Sequence, residues 1–485
     1  MFIKGKLAAA LVAAFVLTPA AAHAGADMSC LAAAGNPAAG TPEWQQRDTD
    51  NVRCSTLRNV DQLGSPAFGY ANLTQGGALY AQQLQDQAGE PDHPHGGLTT
   101  LIPGSKAADP FRTLDRWTAA GRGRVIPVKF TSFNGAVLRG HIFAPPASVP
   151  VPAGGFPGVV ITDGSVQAYE ELYYWAAEDL AEAGYMVMTY DVQGQGDSDL
   201  AGSDCPGACT GVPYQQNFNF YQGAEDSLSF FLSDAAHPFG GASNPWRASL
   251  NGDEVGLAGH SLGAAAVSVV GQCDNRVKTI VAWDNLSKIA DCSGVTIPAA
   301  YRSATLIHAP AMALTNDYGF NPQPAASAPD PHAKDAGYKQ IVAAGLDAQI
   351  VAFRNATHLT YSYIPLVLPA NELSERMASY YTTAWFDAHL RGDDSGYTRL
   401  TATKFDASAD KHSTGAGTFD ATLAAANPTD PYAGNVPYTI TGIPVADAVS
   451  FYYFSEYSLE DPASGGRRAC VDMRAGCPAT EPATP

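Results

Sequence analysis

The chain has 485 residues, 46% of them hydrophobic, and 47 acidic against 28 basic side chains give a formal net charge of -19. This length suits one large catalytic domain with additions, or two domains, and the ordinary apolar content allows a sizeable core. The acidic balance argues against nucleic-acid binding, which needs a basic footprint, and disfavours adhesion to an anionic membrane.

Residues 1–24 read as a signal peptide. Lys4 and Lys6 start it, residues 7–17 form an apolar core too short to span a bilayer, and Pro19 precedes Ala22-His23-Ala24, a small-x-small cleavage site. The mature chain is expected to begin near Gly25 and to be secreted, extracellular or periplasmic, with no stable membrane insertion. Eight cysteines in a secreted chain point to disulfides. Nearest-neighbour pairing would join Cys30–Cys54, Cys205–Cys209, Cys273–Cys292 and Cys470–Cys477. A zinc site at Cys205 and Cys209 is the rival reading, but no matching Cys/His pair stands nearby, so no metal is expected.

Residues 25–120 read as an irregular N-terminal extension with two short helices, 78–88 and 110–120. Strands 125–132 and 136–143 flank Asn134-Gly135, a hairpin-turn signal. Residues 158–162 and 185–190 read as buried strands, with a helix over 173–183 between them. After an insertion at 200–222 come a helix over 224–233, a second insertion at 235–252, and strand 254–258. Residues 264–270, small and apolar, form the helix after it. Strands 279–283, 310–315 and 348–354 follow, with helix 333–344 before the last and a long helix over 371–391 after it. Buried strands alternating with helices imply a mainly parallel sheet covered on both faces. The predicted divisions are an α/β catalytic domain over 121–395 and, over 396–485, a small β-rich C-terminal appendage with a tail.

Gly259-His260-Ser261-Leu262-Gly263 carries the chemistry. It reads G-x-S-x-G between a strand and a helix, the context of a nucleophile elbow. A serine hydroxyl is a weak nucleophile and needs a general base held by a carboxylate. Two later strand ends offer these groups. Ala311-Met312-Ala313-Leu314-Thr315-Asn316 runs into Asp317, and the strand ending at Arg354 leads to His358. Asp317 is therefore the predicted acid and His358 the predicted base. Asp284, at the end of strand 279–283, is the rival acid. His260 should point away from the hydroxyl, His389 reads as solvated on a polar helix end, and His93-x-His95 is a weak metal candidate. The oxyanion hole is expected from the backbone N–H groups of Leu262 and Ser165, the latter in Asp163-Gly164-Ser165-Val166. Asp191 to Ser198 contains G-x-G but lacks the third glycine of a dinucleotide fingerprint, so it reads as a tight turn and no cofactor is expected. Phe218, Phe220 and Tyr221 are candidates to line an acyl pocket or to pack beneath the insertion.

In this order, the stretches 159–165, 190–198, 254–265, 311–317 and 355–358 resemble the α/β-hydrolase superfamily. The similarity covers about residues 124–392 and is greatest to secreted bacterial esterases of the lipase, cutinase and dienelactone-hydrolase neighbourhood, although a dienelactone hydrolase would usually carry cysteine where Ser261 stands. The resemblance implies an α/β-hydrolase fold and cleavage of a small-molecule or polymeric carboxylic ester through an acyl-enzyme, without cofactor. An exported serine peptidase or amidase is the alternative, and a catalytically silent binding protein the third reading. The oligomeric state is left open.

Overall fold

The computed structural model describes residues 37–60, 66–99, 106–110, 113–165, 168–200, 217–284, 286–362, 364, 372–406, 417–419, 435–437 and 440–477. The segment read as a signal peptide, together with Cys30, Cys205 and Cys209, lies outside them. In chain order the strands of the central sheet are β1 (Arg124–Thr131), β2 (Val137–Ala144), β3 (Phe156–Thr162), β4 (Met186–Tyr190), β5 (Leu250–His260), β6 (Val277–Trp283), β7 (Ala311–Asn316) and β8 (Ala348–Phe353). β9 (Gly417–Phe419) and β10 (Asn435–Pro437) pair separately, and β11 (Glu456–Asp461) and β12 (Gly466–Cys470) return to the main sheet. Its ten strands run β1-β2-β4-β3-β5-β6-β7-β8-β11-β12. β4 to β8 along that order are parallel, and an antiparallel hairpin closes each edge.

Each central strand is apolar on both sides because both sides are covered. Val159 and Ile161 of β3 face one core and Val160 the other; Val281 and Trp283 of β6 oppose Ile280 and Ala282 in the same way. Helices α4 (Tyr174–Glu182) and α8 (Glu372–Leu390) pack on the first face. Helices α5 (Asn217–Phe231), α6 (Leu262–Cys273) and α7 (Ala336–Ala343) pack on the second. The large indoles of the first core remain satisfied: Trp283 Nε1 donates to Thr382 Oγ1 at 3.1 Å and Trp385 Nε1 to Thr279 Oγ1 at 2.6 Å. The predicted hairpin forms, with Gly135 at φ +83° in its turn.

The N-terminal region departs from expectation: helix α1 (Pro42–Val60) stands where irregular chain is expected, and α2 (Pro66–Gly89) is far longer than 78–88. α1 is mostly polar, and only Trp44, Val52 and a few neighbours give it a buried side against Tyr318, Phe451 and Tyr452. Within 396–485, β11 pairs with β8, so the β11–β12 hairpin extends the central sheet. Helix α3 (Leu114–Ala119) lies in the later half of the expected 110–120. Cys273–Cys292 and Cys470–Cys477 form disulfides as nearest-neighbour pairing predicts, and Cys54 is also disulfide-bonded. Among the described residues no helix is long and apolar enough to cross a membrane.

Candidate active site

Ser261 sits between the end of β5 and the first turn of α6, at φ +56° and ψ -117°. A side chain rarely adopts this conformation, and it persists only where the surroundings enforce it. The flanking glycines are part of the enforcement. A Cβ on Gly259 would stand 2.5 Å from Gly263 O, and one on Gly263 would stand 2.3 Å from Asp163 O and 2.4 Å from Thr162 O. The turn therefore closes only with glycine at both positions, and it presents the Ser261 hydroxyl beyond the carboxyl ends of the parallel strands.

His358 meets that hydroxyl. Its Nε2 lies 2.9 Å from Ser261 Oγ, and its Nδ1 forms a short hydrogen bond with Asp284 Oδ2. His358 is therefore placed as the sequence suggests, whereas the carboxylate behind it is Asp284. Asp284 follows β6, whose neighbour β5 leads into Ser261, and it turns toward the histidine at φ +61°. Burial pushes the Asp284 carboxyl up, but the His358 hydrogen bond and the nearby Lys334 charge outweigh it and hold the group below the ordinary carboxylate range.

Asp317, the predicted acid, makes no hydrogen bond to His358. Its Oδ2 accepts from Asn51 Nδ2 at 2.7 Å and from Asn355 N at 2.8 Å. Burial raises its carboxyl above the usual value against those donors. It ties helix α1 to the loop that leads to His358. Asp317 extends β7, one strand further from β5 than β6, and so stands away from the His358 ring that Asp284 meets.

No protein-family model and no curated protein matches this chain. The site stands on its own geometry.

The chain after β3 approaches the elbow closely, since a Cβ on Gly164 would lie 3.3 Å from Ser261 Cβ. Gly164 N–H is already committed to Tyr173 Oη at 2.9 Å, and the amide that follows it on the loop is that of Ser165. Gln195 holds the loop from behind, donating to Gly164 O at 2.8 Å and to Asp163 Oδ2 at 3.2 Å. Leu262 N–H opens α6 and has no intrahelical acceptor, as at any helix start.

Tyr173 and Phe320 carry no sequence signal that points to this site, and His260 does more there than point away. Tyr173 Oη lies 2.9 Å from His260 Nδ1, and His260 Nε2 lies 2.7 Å from the carbonyl oxygen of His358. A carbonyl only accepts, so His260 carries its proton on Nε2 and accepts at Nδ1 from the Tyr173 hydroxyl. His260 does point away from Ser261 Oγ, and it holds the backbone of the base. Burial and the adjacent His358 push it down to about 3 against the pull of Asp284, so it is neutral. Phe320, 61% exposed, sets its ring edge-on to His358 at 4.9 Å and forms an apolar wall at the mouth of the site.

The remaining candidates fall elsewhere. Phe220 is buried in the second core and Phe218 packs edge-on against Phe133 at 4.8 Å. His389 is not solvated: it stacks on Trp385 at 4.1 Å and its ring bonds Trp385 O and Asp347. His93 pairs with Asp199 at 2.7 Å, while His95 is buried. The turn at 191–198 is pinned by Asp197 N–H donating to Asp191 Oδ2 at 2.7 Å. His332, Asp335 and Glu456 form a cluster with metal-ligand residue types, in which Lys339 Nζ lies 2.9 Å from Asp335 and already supplies a cation.

Proposed function

We propose that this protein is a serine hydrolase of carboxylic esters with an α/β-hydrolase architecture, using Ser261, His358 and Asp284. The observation that carries the reading is the continuous contact from Ser261 Oγ through His358 Nε2 and Nδ1 to Asp284 Oδ2. In this mechanism Ser261 Oγ attacks the ester carbonyl as its proton passes to His358 Nε2. Asp284 keeps the His358 proton on Nδ1 and stabilises the imidazolium. The N–H groups of Leu262 and Ser165 hold the oxyanion, a contribution worth about 3–4 kcal/mol per donor in comparable sites. His358 then protonates the leaving alcohol. Water adds to the acyl-enzyme by the same route, His358 taking its proton and returning it to Ser261.

Substrate choice is read from the mouth of the site. The exposed apolar ring of Phe320 beside the base favours an ester with an apolar acyl or aromatic part, small or polymeric. The predicted leader and the disulfides support action outside the cytoplasm.

A fluorophosphonate probe and a panel of p-nitrophenyl esters, polymeric esters and peptide anilides test the reading together. Labelling that is lost in Ser261→Ala, with ester turnover far above anilide turnover, is the expected result. Folded protein that neither labels nor hydrolyses any ester overturns it.

A further inference from the structure

The side of Asp284 that faces away from His358 meets a chain of two groups. Asp284 Oδ1 lies 3.0 Å from Thr315 Oγ1, and Thr315 Oγ1 lies 3.2 Å from the ammonium of Lys334. Lys334 also donates to the backbone oxygen of Asn316 at 2.6 Å, and its Nζ sits 4.8 Å from the centroid of the Tyr453 ring. Among the described residues it makes no ion pair with a carboxylate. A partly buried cation without a paired anion is costly unless its charge is used by a nearby field.

Donor and acceptor rules give this chain a direction. An ammonium only donates, so Thr315 Oγ1 accepts from Lys334 and its single proton must go to Asp284 Oδ1. Asp284 then accepts on both oxygens, from Thr315 on one and from His358 Nδ1–H on the other, which requires the carboxylate to be ionised. His358 in turn has a bare Nε2 facing Ser261.

We propose that Lys334 is a positioning residue for the triad, acting through Thr315 to hold Asp284 as a doubly accepting anion and thereby to select the reactive tautomer of His358. This rests on the serine-hydrolase reading above. The other charged and titratable groups facing the triad are few. His260, beside the His358 ring at 4.8 Å, is neutral, and Asp317, which also feels Lys334, is raised by burial and faces Arg354. Tyr361 donates to Thr315 O at 2.8 Å and is held neutral by burial. Tyr453, over Lys334, is likewise raised by burial. Burial lowers Lys334 against the pull of Asp284 and Asp317, and among the described residues around the acid it is the principal cation.

The test uses the full chain and compares Lys334→Met, Lys334→Arg and Thr315→Val with wild type over the pH range of activity. With Lys334→Met, kcat should fall by about tenfold with KM unchanged. The acid limb of kcat/KM should move up by about one pH unit, because removing the cation favours the protonated, inactive imidazolium. Lys334→Arg should restore most of the limb position, and Thr315→Val should lower kcat with a smaller displacement of the limb. A merely structural lysine would change stability and leave the pH limb in place. Wild-type kcat and an unmoved limb in folded Lys334→Met, or in Thr315→Val should the first variant not fold, overturn the proposal. Fluorophosphonate labelling of Ser261 at high pH separates the two readings. If it persists while the limb does not move, only the role of Lys334 fails; if wild type does not label at all, the hydrolase reading fails first.

Discussion

Exchanging either of two aspartates for asparagine separates the acid that the geometry selects from the one that chain order suggests. In Asp284→Asn, Thr315 still donates its proton toward position 284, because its oxygen accepts from Lys334. The amide oxygen must therefore face Thr315, which turns the NH2 group toward His358 Nδ1. Imidazole then accepts at Nδ1 and carries its proton on Nε2, where it confronts Ser261 Oγ as a donor and cannot act as base. A wrong-tautomer triad loses about 10⁴ in kcat, equivalent to about 5.4 kcal/mol of barrier. In Asp317→Asn, one amide oxygen can still accept from Asn51 and Asn355 N–H. The expected cost is about 1 kcal/mol of stability, with kcat within about threefold of wild type. Initial rates on a short p-nitrophenyl ester, paired with urea unfolding, read both quantities. A loss of about three decades in Asp317→Asn beside near-wild-type Asp284→Asn would refute the reasoning.

Three further outcomes follow from the same geometry. His260 ordinarily titrates near 6.5 but stays neutral to about 3 in the folded chain, so the unfolded chain binds its proton first as pH falls. Its contribution is complete above about pH 6.5 and is lost below it, amounting to about 2 kcal/mol at about pH 5, and urea midpoints should show a slope that His260→Asn flattens. Gly263→Ala would force a methyl into the carbonyl oxygens of Thr162 and Asp163, so activity should vanish and the melting temperature drop, with about 1–3 kcal/mol lost; an active, equally stable variant would contradict the elbow geometry. Phe320→Ala should raise KM for long or aromatic acyl esters by about tenfold while leaving acetyl esters nearly unchanged, and equal effects on both would remove Phe320 from substrate contact.

Much of the parallel sheet was legible because strands buried on both faces read as continuous apolar runs, as in Gly158-Val159-Val160-Ile161-Thr162. The elbow was legible because its glycines answer a local steric demand. His358 could be proposed from sequence because it lies just past the last parallel strand. Asp284 and Asp317 could not be separated in the same way, since each ends an apolar strand. The choice depends on lateral strand order, and on the positive φ of Asp284, neither of which has a local sequence signature. Lys334 and Thr315 were invisible for a similar reason: their contact with the acid spans 31 residues between Thr315 and Asp284 and 19 between Lys334 and Thr315. Helix α1 carries too little apolar periodicity to announce itself, and β11 ends in Glu460 and Asp461, which disguises a strand seated against β8.

Helix α1 and the 452–453 segment both reach the loops around the acid. Asn51 of α1 grips Asp317, Tyr318 joins Asn51 and Tyr452, and Tyr453 roofs Lys334. Trimming the gene to the central sheet and its helices would thus remove Asn51 and Tyr453 and open the far side of Asp317 and Lys334 to solvent. A shortened chain should keep both flanks, because here the periphery serves as scaffolding for the centre.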